Sequence, residues 1–204
     1  RETHITGERP LTLYIDKREI VTLMTLGKNP ELLVIGYLYN QRFIKKAEDL
    51  KSVQVDWDVE SAVVVTRGGI SNLEKRLEKR TVTSGCGQGT VFGDMMEDLD
   101  KIKLNSPALR QSSFYRLLKN IREYNEVYKK SGAVHGCALC KNEKIEIFIE
   151  DVGRHNAADA IAGYMLLEQI DGSDKLFYTT GRLTSEMVIK VAQMGIPVLF
   201  SRAG

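Results

Sequence analysis

The stretch KLFYTTGRLTSEMVIKVAQMGIPVLF, residues 175–200, decides the fold class of this chain. It predicts a strand at 175–180, a helix at 183–194 that is closed by Gly195, and a second strand at 196–200. Another helix is predicted just upstream, at about 154–168. Helices that alternate with strands in this way indicate an α/β layer whose strands are at least partly parallel.

Two further elements lead into that layer. A run of small and apolar residues up to Cys140, a polar turn and the alternating isoleucines of 145–149 predict a β-hairpin. Upstream of it, apolar side chains recur at three- and four-residue spacing from Phe114 to Tyr128, which predicts a helix with a core-facing stripe. Gly132 stands where a glycine that ends such a helix is expected.

The first half of the chain has a different organisation, in which strands predominate. A buried helix begins at Pro30 after the N-cap residue Asn29. Four strands and one charged helix are also predicted, at 11–16, 19–24, 51–57, 61–66 and 71–79. Polar residues at 93–111 mark a seam, so the sequence predicts an N-terminal strand/helix subdomain at 1–110 and an α/β subdomain at 111–204.

Composition limits the classes of protein to be considered. The chain has 204 residues with 29 basic and 27 acidic side chains, and this balance argues against duplex nucleic acid as a partner. No apolar run is long enough to span a bilayer, and no signal peptide is recognised at the start. Because the sequence begins without methionine, we expect it to be trimmed. Its odd number of cysteines favours a reducing, cytoplasmic setting.

One of those cysteines lies in the loop TSGCGQGT, residues 83–90. Cys86 is flanked there by glycines and small hydroxyl residues, so no bulky side chain shields its sulfur. A thiol in such a loop is within reach of another macromolecule, and its pKa decides its reactivity. The alternative interpretation is a flexible surface loop in which the cysteine is incidental.

Glycine and arginine recur where three predicted strands of the second half end. These residues are Gly153, Arg154 and His155 after the first strand, Gly181 and Arg182 after the second, and Arg202 after the third. The ends of such strands and the N-termini of the following helices form the ligand-binding edge of open α/β sheets. Arginine there suits phosphate or carboxylate, so we expect an anionic, nucleotide-sized ligand. Alternatively, each arginine pairs with a nearby acid, namely Glu150, Asp151 or Glu186.

Two other kinds of chemistry are weaker candidates. His135, Cys137 and Cys140 resemble a zinc-binding cluster, but residues three apart on a strand face opposite sides of the sheet. The glutamate that a zinc deaminase needs beside its histidine is also missing. We therefore expect no tightly bound metal ion. His155 could serve as a general base, although a histidine at such a junction is commonly a hydrogen-bonding residue.

Four segments together resemble the formate dehydrogenase accessory sulfurtransferase (FdhD) family. They are TSGCG at 83–87, GAVHGCAL at 132–139, EDVGRHNAADAI at 150–161 and TTGRLTSEMVIKVAQMGIPVLFSRAG at 179–204. The resemblance implies a cytidine-deaminase-like three-layer core without deaminase chemistry. It also implies a sulfurtransferase that carries persulfide sulfur on Cys86, from a cysteine desulfurase to the molybdenum or tungsten bis-pterin guanine dinucleotide cofactor of formate dehydrogenase. A homodimer is implied in the same way.

The chain departs from the family pattern at two places. Many members have a second loop cysteine where this chain has Gly89, so Cys86 acts alone or with Cys137 or Cys140. The resemblance also implies that the family continues beyond the position of Gly204, so we expect this sequence to be C-terminally truncated relative to the family. A cofactor-binding chaperone of formate dehydrogenase, with Cys86 incidental, is therefore the main alternative function. A zinc deaminase-like protein is a more distant one.

Overall fold

The computed structural model describes residues 5–70, 73, 81–82, 89–90, 102–105 and 107–203. Three predictions therefore lie wholly or largely outside the described residues. They concern the charged helix at 71–79, apart from Leu73, the Cys86 loop at 83–88, and most of the seam at 93–111.

The first half of the chain forms a four-stranded sheet beside one helix. The strands are β1 (Arg9–Ile15), β2 (Arg18–Thr25), β3 (Leu50–Asp56) and β4 (Ser61–Thr66), and the helix between β2 and β3 is α1 (Pro30–Asn40). Their order across the sheet is β2-β1-β4-β3, with β1 and β4 parallel and both hairpins antiparallel. Leu11, Leu13 and Ile15 alternate along β1 and are fully buried, because a strand turns every second side chain toward the core.

The described residues also form a short ladder and four further helices. The ladder pairs β5 (Thr81–Val82) with β6 (Gly89–Thr90) in antiparallel fashion. The helices are α2 (Gln111–Tyr124), α3 (Glu126–Ser131), α4 (Arg154–Leu167) and α5 (Ser185–Gln193).

The second sheet consists of β7 (His135–Lys141), β8 (Lys144–Asp151), β9 (Leu176–Thr179) and β10 (Val198–Ser201). Its order is β10-β9-β7-β8, with β9 and β10 parallel and β7 antiparallel to both of its neighbours. Helices cover both faces, since Leu139 and Phe177 pack toward α4 and α5 whereas Ala138 and Tyr178 pack toward α2. The predicted α/β class is confirmed, including the partly parallel pairing; the likeness to cytidine deaminases stays a prediction.

The helix predicted from Phe114 to Tyr128 is interrupted, and this part of the prediction is wrong. Asn125 separates α2 from α3, because the Glu150 carboxylate accepts hydrogen bonds from the backbone N–H groups of Val127 and Tyr128 and starts a new helix there. Of the predicted stripe, Leu117 and Ile121 are buried, whereas Tyr124 is 46% exposed. The end of the helical region is as predicted, with Gly132 in the left-handed conformation at φ 69°.

The two halves of the chain share one hydrophobic core, in which α1 packs on α4. Their backbones touch, since a Cβ atom built on Gly36 would lie 1.6 Å from the Asp159 carbonyl oxygen, and one on Gly163 would lie 2.1 Å from that of Leu32. Side chains of both sheets surround this crossing. The boundary at residue 110 stays a prediction, because each half holds one sheet while the core between them is continuous.

Candidate functional site

The ends of three strands meet at one edge of the second sheet, as the sequence predicts. Thr179 of β9 pairs with Ser201 of β10 and with Cys137 of β7, while Asp151 of β8 pairs with His135 of β7. The helices α4 and α5 begin beside this edge. We call the set of residues 151–155, 179–182 and 201–202 the strand-end edge. It contains all of the predicted cofactor-binding residues.

Arg154 is the most deeply placed cation of the strand-end edge. Its side chain is 7% exposed, and its Nε has no hydrogen-bond partner. The aliphatic part of the side chain lies over Gly181, where a Cβ atom would come within 2.5 Å of Arg154 Cδ. A larger residue at position 181 would therefore displace the Arg154 side chain. A buried guanidinium with an unsatisfied donor is suited to an anion that arrives from solution.

The other two arginines of the edge are exposed. The backbone N–H of Arg202 donates to the Thr179 carbonyl oxygen at 3.0 Å, and its guanidinium carbon lies 5.4 Å from the centre of the Tyr128 ring. Arg202 and Tyr128, together with His135 and Thr180, line a depression of 450 Å³. Arg182 lies in the connection between β9 and α5.

The acids that could have neutralised these arginines are engaged elsewhere. Glu150 accepts from the start of α3, as described above. One Asp151 carboxylate oxygen accepts from Thr25 Oγ1 and from the Leu26 backbone N–H at 3.1 Å. Glu186 lies against His155 and Lys190. Within the described part of the chain, no ion pair joins Arg154, Arg182 or Arg202 to a carboxylate, so the alternative of internal pairing finds no support there.

A set of hydrogen bonds that the sequence did not reveal joins the strand-end edge to the first sheet. Besides its bonds to the end of β2, Asp151 accepts from the Gly153 backbone N–H at 3.1 Å and from Asn156 Nδ2 at 2.8 Å. Asn156 Nδ2 also donates to the Met24 carbonyl oxygen at 2.7 Å. Both residues belong to the EDVGRHN segment, but their partners in and beside β2 are more than a hundred positions away, so only the fold identifies those partners.

His155 lies beneath the edge and is 5% exposed. Its Nε2 is 3.3 Å from Glu186 Oε2. Burial, assisted by the positive charges of Lys190 and Arg154, lowers the pKa of His155 to about 3. At neutral pH the imidazole is therefore uncharged and adds nothing to the positive potential of the edge.

Because His155 is buried in its neutral form, we expect the free energy of unfolding to depend on pH. The unfolded chain protonates His155 near its ordinary pKa of 6.5, whereas the folded chain does so only at about 3. Stability is therefore complete above pH 6.5 and falls as the pH drops below it, by up to about 1.4 kcal/mol per pH unit for one proton. Urea unfolding at pH 7, 6 and 5 measures this slope. We expect a flatter slope for His155→Gln; equal slopes would show that His155 is not the group concerned.

Cys137 and Cys140 are unsuited to sulfur or metal chemistry. Both are fully buried on opposite faces of β7, Cys137 toward α4 and Cys140 toward α2. Burial raises the pKa of each thiol to about 12, and the Cys137 thiol donates to Thr179 Oγ1 at 3.4 Å. The two sulfurs therefore cannot ligate one ion from a common side. No cluster of three or more histidine, cysteine or acidic side chains suited to a metal ion occurs among the described residues.

Cys86 itself lies outside the described residues. The backbone on either side of its loop is paired, with Val82 opposite Gly89 and Thr81 opposite Thr90. Val82 and Gly89, the described residues on either side of the loop, are therefore neighbours across this ladder. Among the described helices, none combines the length and the apolar character required to cross a lipid bilayer.

These features define a mixed α/β protein with a cationic, glycine-lined sheet edge. Residues 6–204 match the model of the FdhD/NarQ family, and the chain belongs to that family. Proteins named sulfur carrier protein FdhD from Bacillus pumilus and Wolinella succinogenes are each 31% identical to it. The aligned regions cover 98% and 99% of this chain, and 76% and 71% of those proteins, respectively.

A solved structure resembles the chain to a similar extent. It is described as a formate dehydrogenase accessory protein from Desulfotalea psychrophila, and it matches with a TM-score of 0.76 at 30% identity. The match covers 98% of this chain and 76% of that one. The resemblance inferred from the four sequence segments is thus confirmed.

Proposed function

We propose that this protein is a sulfur carrier that accepts sulfur on Cys86 as a persulfide. The observation that carries the proposal is the near-complete coverage of this chain by relatives named sulfur carriers. The burial of Cys137 and Cys140 supports the choice of thiol, because Cys86 is the remaining cysteine of the sequence. A reducing, cytoplasmic compartment would keep that thiol available.

The loading step is a thiol exchange without net oxidation. The Cys86 thiolate attacks the outer sulfur of a donor persulfide, R–S–SH, which we propose is held by a cysteine desulfurase. A new S–S bond forms on Cys86 while the donor S–S bond breaks, so the donor leaves as a thiolate, R–S⁻. The sulfane sulfur and its proton move together, and charge is conserved.

The acceptor we propose is the molybdenum or tungsten bis-pterin guanine dinucleotide cofactor of formate dehydrogenase. Its phosphates suit the strand-end edge, where Arg154, Arg182 and Arg202 have no carboxylate partner among the described residues and where α4 and α5 begin. Delivery of the sulfur as sulfide takes two electrons, which a thiol reductant supplies as it becomes a disulfide. The partners are then the desulfurase, the formate dehydrogenase catalytic subunit and a second copy of this chain.

The decisive experiment loads the protein with cysteine desulfurase and cysteine in the absence of reductant. Intact-mass measurement and peptide mapping should find one added sulfur on Cys86, and that sulfur should be removed by reductant. In Cys86→Ser we expect at least a hundredfold less bound sulfur with an unchanged circular dichroism spectrum, since serine provides no comparably nucleophilic sulfur.

The matched control is the double variant Cys137→Ala, Cys140→Ala. We expect it to load like the parent, because both thiols are fully buried and their pKa is about 12. Loading of Cys86→Ser at the parental level, or loss of loading in the double variant alone, would contradict the assignment of Cys86.

The second candidate function is a cofactor-binding chaperone in which Cys86 carries no sulfur. Gly89 favours it, because this chain lacks a second loop cysteine that could take part in sulfur exchange. The two functions differ in formate dehydrogenase activation. A chaperone with the Cys86→Ser substitution would still bind a guanine nucleotide and activate formate dehydrogenase, whereas a sulfur carrier with that substitution would bind the nucleotide without activating the enzyme.

A further inference from the structure

Two pairs of charged or ionisable side chains face each other between α4 and α5. His155 and Asp159 lie one turn apart on α4, and Glu186 and Lys190 lie one turn apart on α5. Lys190 Nζ donates to Asp159 Oδ2 at 2.8 Å and lies 3.7 Å from Glu186 Oε1, while Glu186 Oε2 is 3.3 Å from His155 Nε2. We call these four residues the buried charge array.

The array is enclosed by protein on all sides. The side chains of Asp159 and Lys190 are 0% exposed, and those of His155 and Glu186 are 6% and 7% exposed. A third helix contributes to it, because Asn40 at the end of α1 donates from Nδ2 to Asp159 Oδ1 at 2.7 Å. The array thus joins helices from both halves of the chain.

Stability alone gives a weak reason for such an array. The cost of removing two charges from water offsets most of their attraction, so well-packed neutral side chains of similar volume are often equally stabilising. What a buried pair does provide is a fixed geometry, because each charge has to stay within reach of its partner. The role of the array therefore depends on which neighbouring groups have their positions fixed by it.

His155 and Glu186 place one end of the array at the first turns of α4 and α5, next to the strand-end edge. Arg154 directly precedes His155, and Arg182 is joined to Glu186 through the short connection that enters α5. Of the four array residues only His155 belongs to the strand-end edge, and its side chain is 6% exposed. Any effect of the array on a ligand must therefore pass through the backbone that carries the two arginines.

We propose that the buried charge array consists of positioning residues, which set the separation of Arg154 and Arg182 and so prepare the strand-end edge for the phosphates of a guanine nucleotide. This role rests on the proposed function, in which the edge binds the cofactor. It accounts for the occurrence of these four residues in the two segments EDVGRHNAADAI and TTGRLTSEMVIKVAQMG, where the proposed sulfur chemistry requires no charges.

The test removes the charges of the array and keeps side chains in their place. The triple variant Asp159→Asn, Glu186→Gln, Lys190→Met keeps similar volumes, and the asparagine can still accept from Asn40. GDP is the probe, titrated by calorimetry, and thermal unfolding is followed in parallel. We expect a Tm within a few degrees of the parent, a Kd for GDP raised at least tenfold, and unchanged loading of sulfur on Cys86.

The control is the exposed pair of Arg116 and Glu143, changed to Met and Gln. This variant removes an ion pair of 2.6 Å that is remote from the edge, and we expect its Kd for GDP to equal that of the parent. If the triple variant does not fold, Glu186→Gln alone replaces it as the test variant, because Glu186 is at the outer end of the array. We expect the Kd of Glu186→Gln for GDP to rise about threefold.

An unchanged Kd in the folded triple variant, or in Glu186→Gln when the triple variant does not fold, would overturn the positioning role and leave the proposed function intact. A parent chain that does not bind GDP would contradict the proposed cofactor site and the positioning role together. Restoration of tight binding by Glu186→Asp in place of Glu186→Gln would support the role, since a carboxylate at that position is what the geometry requires.

Discussion

Gly36→Ala is expected to destabilise the protein by at least about 3 kcal/mol, at or beyond the upper end of the usual overpacking range. The added methyl group would lie 1.6 Å from the carbonyl oxygen of Asp159 and 2.6 Å from the backbone nitrogen of Gly163. No side-chain rotation relieves a contact with backbone, so α1 and α4 must separate and the core around them must loosen. Equilibrium unfolding in urea, followed by circular dichroism, measures the loss.

The matched control is Gly68→Ala. A Cβ atom there meets nothing within 4 Å, so we expect a change of no more than about 1 kcal/mol, in the stabilising direction if the unfolded chain becomes less flexible. Equal stability of Gly36→Ala and the parent would mean that the two helices do not cross in backbone contact.

Lys190→Met is expected to cost about 3–5 kcal/mol of unfolding free energy. The methionine fills most of the volume, but it leaves the Asp159 carboxylate buried without its cation. Burial then raises the pKa of Asp159 further, because the charged form has lost its principal compensating partner. Asn40 alone remains as a hydrogen-bond donor to this carboxylate among the described contacts.

The comparison variant is Arg116→Met at the surface. Its partner Glu143 is 39% exposed and becomes solvated when the arginine is removed, so we expect a loss of roughly 0.2–1 kcal/mol. Adding Asp159→Asn and Glu186→Gln to Lys190→Met should restore most of the stability. A Lys190→Met protein as stable as the parent would show that the pair contributes no more than an exposed one.

Both predictions concern the same residue of α4. The Asp159 carbonyl oxygen determines how closely α1 can approach α4. The Asp159 carboxylate accepts hydrogen bonds from Lys190 of α5 and from Asn40 of α1. Three helices therefore have their relative positions set within one turn of α4. The strand-end edge lies one turn toward the N-terminus of α4. A displacement of the helices at this crossing would therefore also displace Arg154.

The sequence by itself determined the last four elements of the chain with small errors. The helices predicted at 154–168 and 183–194 are Arg154–Leu167 and Ser185–Gln193, and the strands at 175–180 and 196–200 are Leu176–Thr179 and Val198–Ser201. Such elements are predictable because the period of apolar residues is a local property of the chain. The convergence of the three arginine-bearing strand ends followed from the same alternation.

Only the tertiary structure decided which polar groups meet. The Glu150 carboxylate accepts hydrogen bonds at the start of α3, and this divides a helix that the periodicity predicted as one. The Asp151 carboxylate accepts a hydrogen bond from the residue that follows β2 in the first sheet. The tertiary structure also covered both faces of the strand that carries Cys137 and Cys140, so that both thiols are buried. The physical reason is that a local pattern distinguishes core from solvent, whereas the partner of each buried charge depends on helix crossings and strand register, which are set by contacts between residues far apart in the chain.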